Sequence, residues 1–144
     1  MSRKTVIVAG GLLLAGAAAV LLERLIVTDR EAILIAAEAS AQAISRGDVA
    51  EALKVLHREA LTEAGNPEQT RLALEALISQ MPLDKVNFLV RELKVENGIG
   101  KMSIDLMILP RDPKKAGSSI FRQAMVLDWE KDGEGWKVKT ARPR

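Results

Sequence analysis

The stretch LDKVNFLVRELKVENGIGKMSIDLMIL, residues 83–109, decides the fold class. Apolar residues alternate at Val86, Phe88 and Val90, then at Leu93 and Val95 in the opposite phase. Alternation with a period of two is the mark of a strand with one buried face. The change of phase predicts a β-bulge near Arg91, because one extra residue returns the later apolar side chains to the same face. Asn97-Gly98 follows, a pair that accepts the positive φ angles of a tight hairpin turn. Met102, Ile104, Leu106 and Ile108 then fall on one face of a second strand.

Toward the C-terminus, Pro110 to Ser118 carries Pro113 and Gly117 and reads as a loop. A third strand is expected from about Ser119 to Glu130, with Met125, Leu127 and Trp129 on one face. Asp132-Gly133 turns the chain into a last strand, with Trp136, Val138 and Thr140 on one side and Lys137 and Lys139 on the other. The expected sheet is a four-stranded antiparallel meander.

Upstream of Pro82 the period is that of helices. Thr28-Asp29-Arg30-Glu31 forms a capping box, in which the Thr28 hydroxyl and the Glu31 carboxylate each accept from the other residue's backbone. The helix that follows has an inward stripe of Ile33, Ala36, Ala37, Ser40, Ala41 and Ile44. Gly47 ends it, and Asp48 caps a second helix with Val49, Ala52, Leu53, Leu56 and Ala60 facing inward. Asn66-Pro67-Glu68 starts a third, expected to bury Ala73, Leu74, Leu77, Ile78 and Met81 before Pro82 stops it. The fold class expected is therefore α+β: three helices on a curved four-stranded antiparallel sheet, behind an N-terminal membrane helix.

That membrane helix is read from Thr5 to Leu22, TVIVAGGLLLAGAAAVLL, an uncharged run that would extend about 27 Å as a helix and so match a bilayer's hydrocarbon core. Arg3 and Lys4 precede it, which predicts a cytoplasmic tail at residues 1–4 and a single pass. A transmembrane helix with its juxtamembrane extension occupies 5–27, and an extracytoplasmic domain occupies 28–144. Residues 5–22 thus have the lipid bilayer as their expected partner. The rival reading is a cleaved signal peptide, since Ala15-Gly16-Ala17 and Ala17-Ala18-Ala19 fit small-x-small cleavage sites. A buried core helix is the third reading, disfavoured by the lack of a polar face. Gly11, Ala15 and Ala19 share a small-xxx-small spacing that an alanine-rich run produces by chance.

Composition narrows the function classes. A chain of 144 residues with 48% hydrophobic and 28% charged residues folds as one ordinary domain after its terminal segment. Twenty-one basic residues against 19 acidic ones leave a net charge of +2 with no basic stripe, so no nucleic-acid partner is expected. The chain has no cysteine, which excludes thiolate nucleophiles, zinc–thiolate sites and iron–sulfur clusters. No phosphate-binding glycine loop, HExxH or GxSxG pattern occurs, and Gly10-Gly11 lies inside the apolar run.

The segments TDREAI (28–33), SRGDVAEAL (45–53) and GWKVKTAR (135–142), taken in this order of elements, resemble the nuclear transport factor 2-like superfamily, with its SnoaL-like and ketosteroid-isomerase-like bacterial branches. The resemblance spans residues 28–144. It implies a curved sheet wrapped around a helix to form a cone, open as a pocket in many members and as a partner surface in others. Catalytic members that resemble ketosteroid isomerase use an acidic base with an oxyanion hole made by tyrosine and a protonated acid. This chain has no tyrosine. A dehydratase-like site would need a His/Asp pair, and the chain has one histidine.

No catalytic, cofactor-binding or metal-binding residue is assigned, and no cofactor is expected. His57 is expected near the end of the second helix, complementing its negative C-terminus or half exposed, with no carboxylate to orient it as a base. Asp105 falls opposite Met102, Ile104 and Leu106 and is expected in solvent. Arg122, Gln123 and Asp128 are polar residues of the third strand that would reach a cone mouth, or form an outward face by alternation. Asp112, Lys114 and Lys115 form a charged loop tip. The function expected is a membrane-anchored, non-catalytic domain that binds a protein partner or a small apolar ligand at the cell envelope. The alternatives are an isomerase or dehydratase with Asp105 or Asp128 turned inward at a raised pKa, or a scaffold that forms a homodimer through its sheet.

Overall fold

A computed structural model describes residues 28–112, 120–133 and 135–144. The first helix, α1 (Asp29–Ser45), begins at the capping box: the Glu31 amide donates to Thr28 Oγ1 at 3.2 Å, and the Thr28 amide donates to Glu31 Oε2 at 3.4 Å. Gly47, at φ 74°, turns the chain out of α1, a conformation that costs a residue bearing Cβ. Asp48 then caps α2 (Val49–Ala52) by accepting from the Glu51 amide at 3.2 Å.

Here the structure departs from the expected helical hairpin. The second helix lasts one turn, tightens to a 3-10 turn at Leu53–Val55, and becomes strand β1 (Leu56–Thr62). Helix propensity across HREAL is a weak local preference, and it yields to pairing with a strand from the far end of the chain. Helix α3 (Pro67–Gln80) starts as expected, with Asn66 and Gln69 forming a reciprocal capping box at 2.9 Å in both directions and Pro67 in the first turn.

Strands β2 (Leu83–Glu96), β3 (Ile99–Pro110), β4 (Phe121–Asp132) and β5 (Gly135–Pro143) form the antiparallel meander. The β2–β3 register skips between Val90 and Glu92, which leaves Arg91 bulged and keeps Leu93 on the buried face. The hairpin turns at Asn97 (φ 50°) and Gly98 (φ 74°). The sheet is nevertheless mixed and five-stranded, in the order β1-β5-β4-β3-β2, because β1 adds in parallel to the outer edge of β5. The four-stranded, wholly antiparallel sheet read from the sequence is corrected on this point. A parallel neighbour needs a distant crossover, which no local pattern announces.

A second correction follows from the β4–β5 register. Asp128 pairs with Thr140 and Trp129 with Val138, so Lys139 is the extra residue of a bulge. Trp136 and Val138 stay on the face of Trp129, while Thr140 moves to the opposite face beside Asp128.

The core lies between α1 and the concave face of the sheet. Ile33, Leu93, Met102, Ile104, Trp129, Trp136 and Val138 form its main cluster, and both tryptophans are buried, at 1% and 5% exposure. Gly100 makes the closest approach: a Cβ there would sit 2.8 Å from Ile33 Cδ1 and 3.3 Å from Trp129 Cβ.

The membrane placement is also corrected. Among the described residues no helix is long and apolar enough to cross a membrane, which does not support the single-pass, extracytoplasmic assignment. The run at 5–22, the segment at 5–27 and its cleavage alternatives lie outside the described residues, as do Lys114 and Lys115.

Candidate functional site

Inside the cone, between the sheet and helices α1 and α3, lies a cavity of about 380 Å³. Pockets that hold small molecules start at roughly this size. Ala37, Ser40 and Ala41 of α1 give it a wall of short side chains, which is what leaves the space between helix and sheet, and Ile44 bounds it at one end. The opposite wall comes from the inward faces of the strands, chiefly β2, β3 and β4, with Val138 and Ala141 of β5 and Leu56 of β1 beside them. Phe88 stands on β2, Met102, Ile104 and Leu106 on β3, and Met125, Leu127 and Trp129 on β4, in the alternation legible in the sequence.

Helix α3 closes one side with Thr70, Ala73, Leu74 and Leu77, spaced to share one helical face. None of the side chains of α3 is buried, and Leu77 is 38% exposed. The expectation that Ala73, Leu74, Leu77, Ile78 and Met81 are buried is thus corrected in degree: Leu74, Ile78 and Met81 are half-buried, and Ala73 and Leu77 are exposed. The apolar stripe divides: Ala73, Leu74 and Leu77 face the cavity and its rim, while Ile78 and Met81 pack, half-buried, against Leu83, Val86 and Ile108 of the sheet. The link between α3 and β1 is a 2.6 Å contact between the hydroxyls of Thr62 and Thr70.

The wall contains no ionisable side chain among the described residues. Its polar members are Ser40, Thr62 and Thr70, each engaged within the protein: Ser40 Oγ donates to Ala52 O at 2.8 Å, and Thr70 Oγ1 lies 2.9 Å from Asn66 O. One polar atom stands apart. Trp129 Nε1 is buried and has no hydrogen-bond partner among the described residues, whereas Trp136 Nε1 donates to Asp29 Oδ1 at 3.1 Å.

The ionisable residues singled out in the sequence lie elsewhere. Asp105 is on the outer face, 2.5 Å from Arg91 Nε. Asp128 is on the same face and accepts from Thr140 Oγ1 at 2.5 Å and from Arg142 Nη1 at 2.7 Å. Burial raises its pKa, but the Thr140 and Arg142 contacts outweigh burial and hold it below the usual carboxylate range. Neither acid has the inward position that an isomerase or dehydratase site would require. Arg122 pairs across from Met107 on the outer face, and Gln123 Nε2 donates to Ala124 O at 3.3 Å; neither lines the cavity.

His57 is corrected in both secondary structure and burial: it lies on β1 and is 8% exposed. Its Nδ1 accepts from the Glu59 amide at 3.0 Å, which places the proton of the neutral ring on Nε2, 3.8 Å from Asp132 Oδ2. That carboxylate comes from the β4–β5 turn, a neighbour that exists only after β1 has paired with β5. His57 faces away from the cavity wall. No cluster of metal-ligating side chains occurs among the described residues.

Neither a protein-family model nor a curated protein sequence matches the chain. Solved structures do. An NTF2-like protein from Cytophaga hutchinsonii is 19% identical at a TM-score of 0.65, over 81% of this chain and 98% of its own. An NTF-2 like protein of unknown function from Shewanella oneidensis is 16% identical at a TM-score of 0.64, over 81% and 98%. A putative aromatic ring hydroxylase from Novosphingobium aromaticivorans is 14% identical at a TM-score of 0.62, over 80% and 87%. At these identities the likeness extends to the backbone alone, and it shows that the described residues adopt the nuclear transport factor 2-like (NTF2-like) cone fold.

Proposed function

We propose that this domain binds a small apolar ligand inside its cone without transforming it. The observation that carries the reading is the cavity of about 380 Å³ whose wall has no ionisable side chain among the described residues. Acid–base chemistry needs a titratable group within hydrogen-bond reach of the substrate, whereas binding an apolar molecule needs only shape and area removed from water. Of the two occupants open at the level of sequence, a small ligand fits better than a protein segment. An extended segment would bring backbone amides and carbonyls into a wall with almost no free partners for them.

The test is titration of the full chain with the neutral fluorophore N-phenyl-1-naphthylamine, whose emission rises in an apolar site. Saturable binding at one site per chain is expected. Ala37→Phe, which places a ring into the cavity from α1, should abolish that binding while the circular dichroism spectrum is kept. Unsaturable emission, or binding that Ala37→Phe leaves intact, would refute the proposal.

A further inference from the structure

We infer that the open edge of β2 at Phe88 and Val90, with the groove it shares with α1, docks an extended segment of a partner protein that carries an apolar residue flanked by lysine or arginine. Strand β2 ends the sheet on this side, so one of its edges has no neighbouring strand. From Lys85 to Val90 it pairs with β3 without interruption, and the Val86 amide leaves that ladder to donate to Ser45 Oγ at 2.9 Å. In a regular antiparallel strand every second residue turns its N–H and C=O to the same side, so Phe88 and Val90 also direct theirs outward. After the bulge at Arg91 the alternation resumes at Leu93, whose carbonyl accepts from Arg30 Nη1 at 2.8 Å. Helix α1 therefore satisfies the edge at two points, Ser45 and Arg30. Between them the outward amides and carbonyls of Phe88 and Val90 have no partner among the described residues.

An edge of this kind is a template for one more strand. The groove beside it is lined by Leu34, Ile35, Glu38, Ala39 and Gln42 of α1 and by Phe88. Ile35 is 60% exposed, and Leu89, on the opposite face of the edge, is 50% exposed. An added strand thus removes apolar surface from water on both of its faces. Among the described residues Glu38 is the one charged side chain of the groove; its carboxylate accepts from Gln42 Nε2 at 3.3 Å and has no basic partner. A cation on the segment complements that carboxylate, and an acidic segment is repelled by it. A second copy of the chain is the poorer occupant. The two ties to α1 confine strand pairing to Phe88–Val90, far short of the roughly 1,000 Å² that a stable contact between folded domains needs, whereas a flexible segment also follows the groove along α1.

The probe is the peptide acetyl-KVIVK-amide, titrated into the full chain and followed by amide NMR. As a strand it turns its isoleucine and both lysines to one face and its valines to the other. Saturable shifts should centre on Ile35, Phe88 and Val90, and exchange of the Phe88 and Val90 amides with solvent should slow. Two forms methylated on backbone nitrogen separate strand pairing from plain apolar contact. The amides of the first, third and fifth residues face one edge of the peptide, and those of the second and fourth face the other. One methylated form should lose binding about tenfold or more, and the other should keep it within about twofold. Glu38→Lys should weaken acetyl-KVIVK-amide about two- to fivefold and strengthen acetyl-EVIVE-amide by a similar factor, the span of an exposed ion pair. The methylated peptides decide the matter on the unaltered chain even if that variant folds poorly. Equal losses for both methylated forms, shifts confined to Met102, Ile104 and Leu127 inside the cavity, or no shift up to millimolar peptide would overturn the inference. Phe88 and Val90 amides already slow to exchange without peptide would show the edge taken by the chain itself, or by a second copy where that protection falls on dilution, and either result would overturn it too.

Discussion

Replacing Trp136 by alanine tests how the cone is held shut at its α1 end. The ring is 5% exposed and belongs to the cluster with Ile33, Met102 and Trp129, and its Nε1 ties strand β5 to the first turn of α1 through Asp29. A buried tryptophan removes about 150–250 Å² from water, or about 4–6 kcal/mol at about 25 cal/mol per Å², an upper figure because unfolded chains are partly compact. Truncations of this kind cost about 3–5 kcal/mol once neighbours relax. Domains of this size have about 5–15 kcal/mol of stability, so about a fifth or more of it depends on this ring. With a urea dependence of about 2 kcal/mol per molar, Trp136→Ala should lower the unfolding midpoint of the full chain by about 1.5–2.5 M. Trp136→Phe keeps most of the packing, loses the N–H, and should fall in between. Lys85→Ala, on the exposed side of β2, should move the midpoint little. A midpoint for Trp136→Ala within about 0.3 M of the parent would refute the packing argument, since losses above the exposed-site range of about 0.5 kcal/mol would then be absent.

Two further outcomes follow from contacts around the same end of the cone. Gly100→Ala puts a Cβ 2.8 Å from Ile33 Cδ1 and should cost about 1–3 kcal/mol by urea unfolding. In an Ile33→Val background, where that methyl is missing, the added cost should shrink, and an unchanged cost would show that the crowding is not with Ile33. The Asp29 carboxyl is held below its ordinary value of 3.8 by the Trp136 indole N–H first and by Lys131 second. Its contribution is therefore full above the unfolded value and is lost as pH falls through the lower folded one. Asp29→Asn should reduce the loss of stability between about pH 5 and pH 2 relative to the parent, and identical pH slopes in urea unfolding would exclude that role.

What the sequence by itself determined was local. The capping boxes at Thr28 and Asn66, the bulge at Arg91, the Asn97-Gly98 turn and the inward face from Met102 to Ile108 each depend on a few neighbouring residues, and each stands in the structure where the pattern put it. The same alternation made Met125, Leu127 and Trp129 legible as an inner face. Tertiary structure decided everything that required two distant segments. Leu56–Thr62 is a strand because β5 has an edge to offer, and His57 is buried because that pairing brings it to Asp132. The bulge at Lys139 is marked in the sequence only by Ala141, one small residue in the reversed phase, so the move of Thr140 to the side of Asp128 becomes evident only in the register. The cavity belongs to the same class. An apolar stripe on α3 looks the same whether it packs on a sheet or stands over a space, and only the assembled positions of helix and sheet show that Leu77 borders a space. The unpartnered Trp129 N–H has no signature in the sequence either, since hydrogen-bond satisfaction is a property of what surrounds an atom and not of the residue that carries it.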